Sequence, residues 1–150
     1  MKKLLLILLF SIASFAQTLN VGDSFPSITL EDQFEKTQTI SVESKKVLVA
    51  YDKSMSTILK EFLLSKEDDF LTKNETVYVG DISGMPSLIA KFFAIPKMKK
   101  YPFSILFLDD KNRDVFSKKE DFISVYTLEN EKVKSISFIS TSIELENLFK

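Results

Sequence analysis

The sequence predicts an α/β domain: a central mixed β-sheet flanked by helices, with a β-hairpin extension at its N-terminal end. Three observations carry that expectation. Val47-Leu48-Val49-Ala50-Tyr51 and Phe103-Ser104-Ile105-Leu106-Phe107-Leu108 are apolar runs of strand length, the pattern of strands buried on both faces. Segments of helical period stand between such runs, so the first half alternates β and α and favours parallel strands with right-handed crossovers. The second half carries two alternating runs, 122–128 and 132–139, around Glu129-Asn130-Glu131, the pattern of an antiparallel hairpin.

Taken in order, residues 1–16 (MKKLLLILLFSIASFA) have the layout of a secretory signal peptide. Lys2 and Lys3 are its basic start, Leu4 to Phe10 its apolar run, and Ser14 and Ala16 the small residues before cleavage at Gln17. The apolar run is short for a membrane span, and no cysteine follows to carry a lipid. The expected domain is therefore 17–150. Without Lys2 and Lys3 its net charge is −3, from 21 acidic residues against the remaining basic ones of the 20 in the chain. That weakly acidic balance, with Arg113 as the one arginine, gives no reason to expect nucleic acid or anionic lipid. No later run is long and apolar enough for stable membrane insertion after signal cleavage.

Ser27–Leu30 and Thr37–Val42 alternate around a polar turn, 31–36, and predict the N-terminal hairpin. After the strand 47–51, Met55, Ile58, Leu59, Phe62 and Leu63 fall at helical spacing, predicting a helix from about Ser54 to Phe70 capped by Asp52 or Ser54. Val77-Tyr78-Val79 predicts a strand. Ser83-Gly84-Met85-Pro86 opens a helix whose buried stripe is Leu88, Ile89, Phe92 and Phe93, ended by Pro96. Met85, Phe92 and Phe93 are read as core. Thr141 with Glu144 forms a capping box, and Leu145, Leu148 and Phe149 are the stripe of a last helix.

This order of elements, together with three segments, resembles the thioredoxin-like superfamily. VGDSFPSITLEDQFEKTQTIS resembles the lead-in of secreted thioredoxin-like and peroxiredoxin-like proteins. KKVLVAYDKSMSTILKEFL is similar to their first central strand and active-site helix. KKYPFSILFLDD resembles the loop and strand that carry the family's cis-proline. Tyr101-Pro102 is also similar to the small YtfJ-like group of periplasmic thioredoxin-like proteins. The resemblance implies a thioredoxin-like fold over most of 21–150, and the short lysine-led signal pattern of residues 1–16 sets the expected location, the bacterial periplasm.

The resemblance stops at the chemistry. Where such proteins carry C-x-x-C, this chain has Ser54-Met55-Ser56-Thr57, and it contains neither cysteine nor histidine. A serine hydroxyl needs an adjacent base to act as a nucleophile, so thiol–disulfide exchange is excluded and Ser-His-Asp catalysis with it. The expected role is a redox-inactive binding or accessory module with no cofactor, no metal and no catalytic residue. Its candidate contact site for a periplasmic protein or peptide is Ser54, Met55, Ser56, Thr57, Tyr101, Pro102 and Phe103.

The plainer readings of these residues are helix capping for Ser54, Ser56 and Thr57, and packing for Tyr101 and Phe103. Asp110-Lys111-Asn112-Arg113-Asp114 opens like a calcium loop but has Val115 where the loop needs glycine and Asp121 where it needs glutamate, so it reads as a polar turn. Lys97, Lys99 and Lys100 read as a solvated cluster. Two other classes stay open: a non-thiol enzyme using Asp, Glu, Lys, Ser or Tyr, and a structural subunit of an envelope assembly, suggested by 14 phenylalanines. The enzyme reading requires a pocket holding an acid or lysine of strongly shifted pKa, and the assembly reading an exposed apolar patch.

Overall fold

The computed structural model describes residues 17–41 and 43–150. The expected signal peptide, and Val42 at the end of the expected second strand, lie outside the described residues. Strands β1 (Ile28–Asp32), β2 (Thr37–Ile40), β3 (Lys46–Ala50), β4 (Thr76–Gly80), β5 (Leu106–Phe107), β6 (Ile123–Glu129) and β7 (Lys132–Ile139) form one sheet in the order β2-β1-β5-β4-β3-β6-β7. β3 and β4 are parallel, as are β4 and β5, while β1, β2, β6 and β7 pair antiparallel. The sheet is therefore mixed, as the sequence predicts. The helices are α1 (Lys53–Leu64), α2 (Phe70–Lys73), α3 (Ser87–Ile89), α4 (Ile95–Met98) and α5 (Ser142–Leu148), with a π-helical turn at Ala90–Ala94 joining α3 to α4.

The alternation along β3 divides the core. Leu48 and Ala50 face a cluster with Leu59, Phe62, Ile123 and Leu145, which α1 and α5 cover. Val47 and Val49 face the opposite cluster, where the cover is not helical. Leu19 and Phe25 of the N-terminal segment and Val115 and Phe116 of the loop before β6 close that face. The two covers are tied together, because the Leu19 amide donates to Val115 O at 2.8 Å and the Thr18 hydroxyl to Asp114 O at 2.8 Å. Tyr51 and Tyr126 fasten the loop from below. The Tyr51 hydroxyl donates to Phe116 O at 2.9 Å, and the Tyr126 hydroxyl accepts from the Ser117 amide at 2.6 Å.

Both hairpins turn on left-handed residues. Asn130 and Glu131, each at positive φ, make the two-residue loop between β6 and β7, where a primed turn matches the twist of the strands. In the β1–β2 turn the Asp32 carboxylate accepts from the amides of Phe34 (2.8 Å) and Lys36 (3.0 Å) and from the Gln38 side chain (2.7 Å). The turn read from sequence as merely polar thus contains two buried side chains, Asp32 and Gln33.

Three expectations are corrected. The helix from Ser54 stops at Leu64 rather than Phe70, where the Ser65 hydroxyl and amide return to Phe62 O. The turn brings Phe70 back, so that the rings of Phe62, Phe70 and Phe149 form one cluster with centroids 4.9–5.8 Å apart. On a continuous helix Phe70 would lie about 12 Å along the axis from Phe62. The expected strand 103–108 pairs only at Leu106–Phe107. Ahead of it, Phe103 O and the Ile105 amide are bonded to the Gln33 side chain rather than to a strand.

The third correction concerns the segment after Pro86. Pro96 does not end the helix: it sits in the first turn of α4, just after the π turn, in which the Ile95 amide bonds back to Ala90 O. The wider turn falls where the proline has no N–H to donate. The residues read as a buried stripe are exposed, with Leu88 at 67%, Ile89 at 46%, Phe92 at 61% and Phe93 at 69%. Ala90 is the buried residue, and Ala94 and Met98 follow it at helical spacing on the inner side. Alternate four-residue steps of this segment are both apolar, so the pattern alone does not choose a face, and the small side chains permit the closer approach.

Candidate functional site

The residues that position the candidate site belong to the junction of β3 and α1. Asp52 caps α1: its Oδ1 accepts from the Met55 amide at 2.9 Å and from the Ser54 hydroxyl at 2.6 Å. Burial works against ionisation of this carboxyl. The Met55 amide and the hydroxyl and amide of Ser54 outweigh it, with a smaller contribution from Lys118, and hold the group below the usual carboxylate range. The Thr57 hydroxyl donates to Lys53 O at 2.8 Å.

Beside this helix start lies a cleft of about 570 Å³ between α1 and the α3–α4 segment. Ser56, Thr57 and Lys60 of α1 form one wall; Met85, Pro86, Ala94 and Met98 form the other. Tyr51, Tyr78 and Tyr101 line it as well, with Asp52, Asp81 and Lys97 as charged members. A second cleft of about 420 Å³ shares Tyr51 and Asp81 and adds Arg113, Asp114, Ser117 and Lys118, whose Nζ lies 5.5 Å from the Tyr51 ring centroid.

The structure separates the seven candidate residues. Ser56, Thr57 and Tyr101 line the larger cleft. Ser54 is exposed and engaged with the cap, while Met55 and Phe103 are buried in the core. Tyr101 stacks on Phe103 at 5.4 Å, so Phe103 supports the cleft from behind. Pro102 is exposed, and its peptide bond is trans. It precedes β5, which runs parallel to β4, so the likeness of 99–110 to a cis-proline loop does not extend to the backbone. Sequence reasoning missed Tyr51, Tyr78 and Asp81. Tyr51 and Asp81 lie just beyond the ends of β3 and β4, and that edge position was the signal available; Tyr78 sits in the middle of β4, where the sequence offers none.

The titratable groups of the cleft whose pKa is displaced are two tyrosines and the capping carboxylate. Burial raises the Tyr51 hydroxyl far above its ordinary value and pushes Tyr78 up to about 12, partly offset by Ser56. Both are neutral donors at physiological pH. Asp52 moves the other way. These shifted groups are all driven away from neutrality, opposite to what an acid or base working near pH 7 requires. Among the described residues no group of acidic side chains is arranged to hold a metal ion, and Asp110, from the calcium-like turn, pairs with Arg113 at 2.7 Å.

The chain matches no family model and no curated protein. Solved structures do match it. The thioredoxin domain of a thiol-disulfide oxidoreductase from Bacteroides vulgatus is 16% identical, with a TM-score of 0.53, covering 89% of this chain and all of that one. A peroxiredoxin-like protein from Aquifex aeolicus is 11% identical with a TM-score of 0.54, covering 89% and 88% of the two chains. StoA from Bacillus subtilis is 13% identical with a TM-score of 0.52, covering 85% and 100%. The fold is thioredoxin-like, and the chain that adopts it has no cysteine.

Proposed function

We propose that this chain is a non-redox thioredoxin-like module of the bacterial periplasm that holds a segment of a protein or peptide in the cleft beside the start of α1. The supporting observation is the cleft itself: about 570 Å³, walled by aromatic and apolar side chains, at a helix start where hydroxyl residues stand in place of thiols. Neutral Tyr78, the Ser56 hydroxyl and the flanking Lys60 and Lys97 offer hydrogen-bond donors to the carbonyls of an extended chain, while the Tyr51 and Thr57 hydroxyls, which already donate to Phe116 O and Lys53 O, offer acceptor lone pairs to its amides. The periplasmic part of the proposal rests on the pattern of residues 1–16.

A photoreactive side chain at Thr57 tests this in envelope extract of the source bacterium. The expected result is a discrete crosslinked product that disappears when Ala94→Trp fills the opposite wall. The same label at Ser137 on β7 gives no such product. Equal labelling from positions 57 and 137, or a product indifferent to Ala94→Trp, overturns the reading. The assembly-subunit alternative draws on one observation, the exposed apolar face at 88–93.

A further inference from the structure

We infer that the α3–α4 segment is a peripheral docking element for an anionic lipid surface. Leu88, Ile89, Phe92 and Phe93 are all exposed on one helical segment whose inner side is Ala90, Ala94 and Met98. Large apolar side chains outside and alanines inside reverse the arrangement that burial in a monomer favours, and a cluster of this kind marks an interaction surface.

Charge identifies the occupant. Between Asp81 and Asp109 the chain has Lys91, Lys97, Lys99 and Lys100 and no acidic residue, although its overall net charge is −1. Elsewhere among the described residues most lysine-rich stretches are paired, and Lys118-Lys119, which are not, are followed directly by Glu120 and Asp121. Lys45 pairs with Glu75, Lys66 with Glu146, Lys73 with Glu67 and Asp69, and Lys134 with Glu129. None of the four lysines of this segment takes part in an ion pair among the described residues. All four are exposed, and Lys91 Nζ lies 5.9 Å from the Phe92 ring centroid. Exposed phenylalanine and leucine in one helical segment with exposed lysines and no acid is the composition of an interfacial helix, which sets rings at the acyl boundary and ammonium groups among phosphates. A protein partner of this size would also need acidic side chains at matching positions; a bilayer presents negative charge everywhere along its plane. No helix of the described residues is long and apolar enough to cross a membrane, so the contact is peripheral.

The absence of cysteine makes a direct test available, because one introduced thiol is a unique labelling position. The full chain carrying Leu88→Cys is labelled with a polarity-sensitive fluorophore and mixed with vesicles containing phosphatidylglycerol, or with vesicles of phosphatidylcholine alone. The reading is local, so any attachment through residues 1–16 does not produce it. Expected is a blue shift with the anionic vesicles only, weakened by salt, and absent for label at Ser137→Cys. Lys99→Gln with Lys100→Gln lowers the partition coefficient by on the order of thirtyfold. No shift at position 88, an equal shift with neutral vesicles, or an equal shift at position 137 overturns the inference. So does a shift without vesicles that grows with protein concentration, which would mean a second copy covers the face. Each of these outcomes leaves the cleft, probed from Thr57, untouched.

Discussion

Gln33 holds the chain at Phe103 from across the sheet edge: its Nε2 donates to Phe103 O at 2.7 Å, and its Oε1 accepts from the Ile105 amide at 2.8 Å. Gln33 is fully buried. It replaces a strand neighbour for a stretch that has none, and so sets the position of Tyr101 at the cleft. Gln33→Leu keeps the volume and leaves two buried backbone groups without partners, each costing about 1–3 kcal/mol. Urea denaturation is expected to show a loss of about 2–4 kcal/mol at unchanged m-value. A loss under about 0.5 kcal/mol would mean that water replaces the amide and the clamp is dispensable.

Acid sensitivity follows from two capped turns. Burial opposes the ionisation of Asp32, but the amides of Lys36 and Phe34, with Gln38 and Ser104, outweigh it and leave its pKa lowered, as Asp52's is by its own cap. A carboxylate whose folded pKa is depressed contributes stability above its unfolded value, near 4, and loses it as pH falls through the folded value. The urea midpoint should stay level from pH 7 to about 4 and drop below that. Asp52→Asn preserves a capping oxygen and should flatten the drop. An unchanged slope in that variant would assign the acid sensitivity elsewhere.

Alkali acts through the tyrosines. Tyr78 is pushed up to about 12 by burial, and Tyr51 is raised further. The contribution of such groups is complete below the unfolded value, near 10, and is lost as pH rises toward the folded one. Absorbance at about 295 nm should therefore show at least two of the four tyrosines unionised at about pH 11, released together when the circular dichroism collapses. Smooth ionisation of all four before unfolding would contradict the buried placement of Tyr51 and Tyr78.

Phe92 and Phe93 separate surface from core. Phe92→Ser and Phe93→Ser should each leave stability within about 0.5 kcal/mol of the parent, as surface changes do. Phe62→Ala, in the aromatic cluster under α1, should cost about 3–5 kcal/mol. Thermal denaturation of the three variants side by side gives the ranking, and comparable losses at 62 and 92 would restore Phe92 to the core.

What the sequence disclosed was periodicity. Two-residue alternation located β1, β2, β6 and β7, and the three-to-four spacing of Met55, Leu59, Phe62 and Leu63 located α1 and its buried face. The Thr141–Glu144 capping box stands in full. The failures share a cause. From Leu88 to Met98 both faces of the helix are apolar, so period gives no direction, and only the close fit of Ala90 and Ala94 settles it. Gln33 and Asp32 look like turn residues because polarity does not reveal whether a carbonyl or amide waits nearby. The cleft was half legible: Ser56 and Thr57 follow from the helix start, whereas Tyr51, Tyr78 and Asp81 arrive there by parallel pairing of β3 with β4.

The non-helical cover over Val47 and Val49 imposes an order on folding. Thr18 bonds to Asp114 across 96 positions, and Gly22 and Phe25 bond to Val133 and Glu131. Contacts this distant in the chain form late, because the loop between them must first close. The earliest-made stretch of the domain is thus the last to settle: until synthesis reaches β7, Leu19 and Phe25 have no finished face to close.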